Sequence, residues 1–292
     1  METTLVFLDG FELPCFASFP LLETDEGRAA LSRYYEPYLE VARRHGTGFV
    51  IEAATWRANP AWGAQLGYSL DALADANRRA VDFAAAIADR EEEPGRPFVV
   101  NVPFGPEGDA YDPASRMSAD EAERYHAWQA GVIAGTQADV ITGLTITYVE
   151  EAIGIVRAAA AAGMPVAMSF TVETDGRLPT GQPLAEAIEQ VDSETDGVAA
   201  YFMVNCAHPT HFVAVLDEPG PWERVRGIRA NASTKSHAEL DESEELDDGD
   251  PDDLARQYLA LGERLPHLTV LGGCCGTDHR HVGSVADALL GG

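Results

Sequence analysis

The stretch Leu268-Thr269-Val270-Leu271-Gly272-Gly273-Cys274-Cys275-Gly276 runs from an apolar, β-rich segment into two adjacent cysteines bracketed by glycine. Leu268–Leu271 reads as a strand, which places the cysteines at its carboxyl end. Neighbouring side chains along a strand point in different directions. Turning two adjacent sulfurs onto one centre therefore needs an unusual backbone, and flanking glycines permit one by accepting φ > 0. A soft, thiolate-binding ion such as zinc is the obvious centre. Two sulfurs alone are not a site, so further ligands must come from elsewhere in the chain.

Outward from this segment, apolar runs alternate with amphipathic ones along the whole chain. The other strand candidates are Thr4–Leu8, Gly48–Ala53, Pro97–Val102, Asp139–Leu144, Pro165–Thr171, Val198–Asn205 and Arg224–Ala230. Most are continuously apolar, as expected of strands covered on both faces. Helical stretches such as Arg28–His45, Leu70–Arg90, Ala119–Thr136 and Val149–Ala162 separate them. Eight βα units predict an α/β fold, a single (β/α)8 TIM barrel spanning residues 1–292 as one domain. An open doubly wound sheet is the competitor. It would more often carry a glycine-rich phosphate loop after the first strand, and Asp9-Gly10-Phe11 is not one.

Barrel enzymes place their chemistry at the carboxyl ends of the strands. Those ends carry Asp9, Glu52 with Thr55, Asn101, Thr145, Cys206, Asn231, and Cys274 with Cys275. Three of the four cysteines thus converge on one mouth. Cys206 alone reads as a small buried hydrophobe; beside the vicinal pair it reads as the third ligand of a three-cysteine metal site. Three thiolates with an open fourth position are the pattern of catalytic zinc. A thiol entering that position loses its proton and becomes a nucleophile toward an electrophilic methyl group.

Bulk properties narrow the partners. The 48 acidic residues against 20 basic ones give a formal charge of −28, which repels nucleic acid and anionic membranes and attracts a cation. No apolar run is long enough for a membrane span and no signal peptide is visible, so a cytoplasmic location is expected. The acidic stretch Glu239–Asp253, with ten Asp or Glu residues, reads as a solvated, mobile loop. Trp56, Trp62 and Tyr68 read either as loop packing or as an aromatic wall for a cationic donor. Cys15 reads as a loop cysteine, and His279, His281, His208 and His211 as helix residues near the cysteines.

Several motifs resemble the homocysteine S-methyltransferases, zinc barrels that methylate homocysteine to methionine. Asp9-Gly10 is similar to that family's opening Asp-Gly-Gly, and Gly105-Pro106 with Gly108 to its Gly-Pro loop. Asn205-Cys206 resembles its Asn-Cys, and Gly272 to Thr277 its closing Gly-Gly-Cys-Cys-Gly-Thr. The resemblance implies Cys206, Cys274 and Cys275 as ligands of Zn2+. Asp9, Thr145 and Glu52 are the expected catalytic residues, Glu52 from its strand-end position and with a structural hydrogen bond to the barrel rim as its other reading, and Asp9, Gly10 and Asn205 are the expected contacts to the substrate. The expected reaction moves a methyl group from a small onium donor, of the S-methylmethionine, S-adenosylmethionine or betaine type, to homocysteine in methionine biosynthesis.

Two positions depart from the family pattern. Phe11 replaces a glycine, and Leu144-Thr145 stands where the family reads Glu-Thr, whose glutamate receives the homocysteine ammonium. Asp9 or Glu52 could supply the missing charge; alternatively the acceptor is a different thiol. A non-catalytic zinc/thiol redox sensor is the reading from another class.

Overall fold

The computed structural model describes residues 1–111, 115–243 and 245–291. In chain order the helices and strands are α1 (Glu2–Phe7), α2 (Asp25–His45), β1 (Phe49–Glu52), α3 (Pro60–Gln65), α4 (Leu70–Glu91), β2 (Phe98–Phe104), α5 (Ala119–Ile133), β3 (Val140–Ile146) and α6 (Val149–Ala161). They continue with β4 (Val166–Phe170), α7 (Leu184–Glu194), β5 (Phe202–Asn205), α8 (Pro209–Phe212), β6 (Val225–Ala230), α9 (His237–Asp241), α10 (Pro251–Arg264), β7 (Val270–Gly273) and α11 (His279–Leu290). The seven strands form one parallel sheet in the order β1-β2-β3-β4-β5-β6-β7. It curls into a nearly closed TIM-type barrel, the architecture the alternating pattern predicts. No helix of the described residues is long and apolar enough to cross a membrane.

The middle of the sheet is the driest part. Every residue of β3, β4 and β5 is buried, so helices outside and side chains inside must both be apolar there. Large and small residues alternate to fill the interior: a Cβ on Gly143 would lie 2.7 Å from the Met168 sulfur, and one on Gly227 2.6 Å from Met203. Outside, α5 and α6 approach closely because Gly154 has no side chain. A Cβ there would sit 2.3 Å from the Ala122 Cβ and 2.6 Å from the Glu123 nitrogen.

The first strand candidate is corrected. Thr4–Leu8 is not a strand; it falls mostly within the short helix α1, so the barrel has seven described strands in place of eight. The run is apolar enough for either form, and tertiary context decides. Leu5 enters the core, and the amides of Leu8 and Asp9 both turn back to the Thr4 carbonyl. Asp9 and Gly10 consequently lie exposed beyond a helix end, not at a strand end. No ladder joins β7 to β1 among the described residues. The helical layer nonetheless closes, as α2 packs on α11. A cavity of about 450 Å³ lies inside the seam, bordered by Tyr34, Phe49, Glu52, Arg229 and Leu271.

Gly154 offers a direct test of the packing. Gly154→Ala should gain up to ~1 kcal/mol of helix propensity yet lose about 1–3 kcal/mol to overpacking against α5 backbone, for a net drop in the urea midpoint. Gly131→Ala, on an open and exposed face of α5, should raise the midpoint instead. A stabilised Gly154→Ala would contradict the close approach of α5 and α6.

Candidate metal centre

The first sulfur is positioned by strain. β5 ends at Asn205, and Cys206 follows with φ 54°, the left-handed region that L-residues other than Asn or Asp seldom occupy. Across the barrel, β3 shifts register against β4 between Gly143 and Ile146, and within that irregularity Thr145 takes φ 64°. Irregularities of this kind re-aim side chains at strand ends. The fully buried Asn205 binds the two together. Its Oδ1 accepts from the Thr145 amide (3.1 Å) and the Ser169 hydroxyl (2.6 Å), and its Nδ2 donates to Thr145 Oγ1 (2.8 Å). With that lone pair occupied, the Thr145 hydroxyl proton is free to point at Cys206 Sγ, 3.9 Å away. Two such backbone outliers cost roughly 1–3 kcal/mol each, and the hydrogen-bonded frame around Asn205 holds them.

The other two sulfurs sit on a tight turn after β7. The Cys274 amide donates to Ala230 O (2.8 Å), and Thr277 donates from its amide and its hydroxyl to Cys274 O. Gly273 is needed because a Cβ there would lie 2.1 Å from the Thr277 hydroxyl oxygen. Gly276, at φ 78°, would bring a Cβ within 2.4 Å of Asp247 O. Asn231 couples this turn to Cys206: its Oδ1 accepts from the Cys275 amide (3.1 Å) and its Nδ2 donates to Cys206 O (3.0 Å). The result brings the sulfurs of Cys206, Cys274 and Cys275 within 4.8 Å of one another.

The three thiols share charge unequally. Hydrogen bonds from Cys206 and Cys275 hold the Cys274 thiol well below its ordinary pKa, and Arg229 adds to the effect. Cys206, donating to that thiolate, is pushed up to about 12, and Cys275 is raised as well. Of the three, Cys274 is therefore the sulfur that ionises most readily. Burial works against the Arg229 charge, but Glu52 and then Cys274 more than restore it. Arg229 pairs with the Glu52 carboxylate and donates to Gly273 O (3.3 Å). A soft donor set of this kind suits a thiophilic metal ion.

All three cysteines border a cavity of about 390 Å³ at the carboxyl end of the barrel. Glu52, Leu144 and Thr145 reach its wall. Asp9, Gly10 and Asn205 do not: the first two are exposed away from it, and Asn205 is spent on its neighbours. Cys15 stands apart from the sulfur cluster. His281 caps α11 and reaches Asp248 O (2.7 Å), while His208, driven down to about 4 by burial and by His211, caps α8 as a neutral acceptor. In the acidic segment, of which residue 244 lies outside the described residues, Glu242, Asp248 and Asp250 are exposed as a solvated loop predicts, but the segment begins inside α9 and also reaches the cavity. Leu240, Glu245, Leu246 and Asp247 line the cavity, and Asp247 is held by Ser233 (2.8 Å) and Lys235 (3.2 Å).

Sequence reasoning did not single out Tyr111, His237 or Arg57. The Tyr111 hydroxyl lies 4.0 Å from Cys275 Sγ, and its ring packs on His237 at 4.5 Å. His237 meets Cys206 O at 2.6 Å. Trp56 and Trp62 face a cation that belongs to the chain itself, the Arg57 guanidinium, at 4.1 and 3.9 Å. Tyr68 packs elsewhere, on Phe19. Tyr111 lies in a loop and His237 opens the short helix α9, and neither segment carries a periodic signal for its path over the mouth. The Trp-Arg dipeptide was the visible hint for Arg57.

The homocysteine S-methyltransferase family profile matches residues 3–289. Among solved structures the chain resembles the homocysteine methyltransferase MmuM from Escherichia coli. The metallated form superposes with a TM-score of 0.72 at 18% identity, covering 95% of this chain and 90% of that one. The oxidized form gives 0.73 at 17% identity over 95% and 90%, and the apo form 0.68 at 16% over 99% and 93%. At these identities the likeness speaks for the fold. No curated protein matches the sequence significantly. With a profile match across nearly its whole length and the three sulfurs brought together, the chain belongs to the homocysteine S-methyltransferase family and is a methyltransferase enzyme.

Proposed function

We propose that the protein is a zinc-dependent thiol methyltransferase that takes a methyl group from a small onium donor and delivers it to the thiol of homocysteine, giving methionine. The observation that carries this reading is the convergence of Cys206, Cys274 and Cys275 on one wall of the cavity. These three would hold the ion, which when bound supplies a Lewis-acidic position where an acceptor thiol ionises at neutral pH. The acceptor's proton leaves to solvent on binding. Its sulfur lone pair then forms the S–CH3 bond as the methyl–onium bond breaks, and that electron pair departs with the neutral sulfide or amine. An anion and a cation become two neutral products.

The surrounding residues support each part. Glu2, Asp109, Glu245 and Asp247 make the cavity rim acidic, which favours a cationic donor over an anionic one. Thr145 and Tyr111 place hydroxyls beside the sulfurs of Cys206 and Cys275. Asn205 and Asn231 hold the ligand-bearing backbone. Glu52 is engaged by Arg229 and Asn101, so its charge serves the barrel floor. Leu144, buried on the cavity wall, offers an ammonium group nothing. That observation favours a second reading, in which the acceptor is a thiol without an ammonium. The four cysteines are free thiols, which fits a reducing compartment such as the cytoplasm.

The test is metal content with methyl transfer. Anaerobically purified protein should carry one zinc per chain, a fourth sulfur should appear at the zinc edge on adding homocysteine, and Cys206→Ser should lose both metal and turnover. A reduced sample without zinc affinity, or full turnover in Cys206→Ser, would sink the mechanism.

Proton release gives an independent check. Three sulfurs must ionise to bind zinc and Cys274 is held toward its thiolate, so uptake near pH 7.5 should release fewer than three protons. Calorimetry in two buffers of different ionisation enthalpy reads that number; three would mean that no thiolate is preformed.

Asn231→Ala leaves every ligand in place but frees the backbone at Cys206 and Cys275. Zinc affinity should fall by roughly 10–100-fold, as for other residues that orient ligands, measured by chelator competition. Unchanged affinity would remove Asn231 from the site.

A further inference from the structure

Arg57 is an under-compensated cation built into the cavity wall. It is 8% exposed, lines the same cavity as the three cysteines, and lies between the rings of Trp56 and Trp62. Both rings are pinned: Trp56 Nε1 donates to Leu144 O (3.0 Å) and Trp62 Nε1 to Pro106 O (3.3 Å). One guanidinium nitrogen donates to Gly108 O (3.3 Å), whereas the buried Nε meets no acceptor. A buried donor left unmatched is costly, and a buried charge more so. Burial pulls Arg57 down to about 10, and the field of Asp109 does not make up the loss.

Such a group is satisfied by an anion whose oxygens match the guanidinium fork. Leu144 lines the same cavity, and Glu52 is already paired with Arg229. The cavity thus offers three fixed features to a small thiol: sulfur ligands at one wall, an apolar surface at Leu144, and a rigid cation at Arg57. We infer that Arg57 is the specificity-determining anchor for the carboxylate of the acceptor, and that the acceptor class is a short thiol carboxylate for which an ammonium group is dispensable. This deepens the methyltransferase reading and rests on it for the identity of the sulfur site. Homocysteine belongs to the class through its carboxylate, and its ammonium would meet Leu144.

Three thiols separate the contributions: homocysteine, its deaminated form γ-mercaptobutyrate, and its decarboxylated form homocysteamine. Binding to the cobalt(II)-loaded protein is read twice, by the sulfur-to-metal absorption band and by tryptophan fluorescence, which senses Trp56 and Trp62. γ-Mercaptobutyrate should bind at least as tightly as homocysteine and about 10–100-fold more tightly than homocysteamine. Arg57→Gln should abolish that preference without changing metal content. Should Arg57→Gln fail to fold, Arg57→Lys, which keeps the charge but not the fork, should cut the preference several-fold.

Equal binding of γ-mercaptobutyrate and homocysteamine, or an unchanged preference in either variant, overturns the assignment. Plain butyrate separates the two layers of the argument. If it perturbs the tryptophans in an Arg57-dependent way while no thiol alters the metal band, the anion subsite stands and the thiol-activating reading falls. If thiols alter the metal band with no carboxylate preference, the converse holds.

Discussion

One ion pair organises the open side of this barrel. Arg229, on β6, reaches past β7 to the carboxylate of Glu52 on β1, and on the way donates to the carbonyl of Gly273. No backbone ladder joins β1 and β7 among the described residues, so this side chain is what ties the two edges at the level of the site. Glu52 extends the link to Asn101 (3.3 Å), and Asn101 accepts from Thr142 (2.7 Å), carrying it into the dry centre of the sheet. A pair of this kind contributes little relative to an apolar filling, but losing one partner leaves the other charge half-buried and uncompensated, which destabilises the seam. The same guanidinium lowers the pKa of Cys274. Barrel closure and thiolate formation therefore draw on one group.

From that floor upward the site is held by polar side chains that fasten the backbone bearing the sulfurs. Asn205 fastens the left-handed backbone of Thr145 and Cys206, and Asn231 fastens Cys206 to Cys275. Two asparagines thus bring segments from β3, β5, β6 and β7 to one point. Each polar atom of these amides meets a backbone or hydroxyl partner, as buried polar groups generally do. Strain at two non-glycine residues is tolerated because its surroundings over-determine it.

The legible part of the site is the part that strand-end logic can reach. Cys206, Cys274 and Cys275 follow apolar runs, and any βα barrel puts such residues at one mouth, whether it has seven strands or eight. Asp9 does not join them because Thr4–Leu8, a threonine followed by four apolar residues, is too short a run to distinguish a strand from a helical turn. The acidic segment misled differently. Ten carboxylates suggested solvent, yet Leu240 and Leu246 among them suffice to turn one side of the segment inward. The pairing of Glu52 with Arg229, and the missing partner of Arg57 Nε, depend on relations between distant loops and strands. No local pattern encodes them.

The roof over the cavity has fastenings unlike those of the barrel beneath it. Asp247 is held by Ser233 and Lys235, and Asp248 by Arg280 and, through its carbonyl, by His281. These contacts are polar and several are exposed, whereas the strands below are locked by apolar packing. Surface ion pairs are individually weak and exchange readily with water. A change in these surface charges would therefore alter how the entrance is fastened without loosening the core. Access and thermodynamic robustness are separable traits in this molecule, so selection can retune how fast ligands come and go by changing surface charge alone.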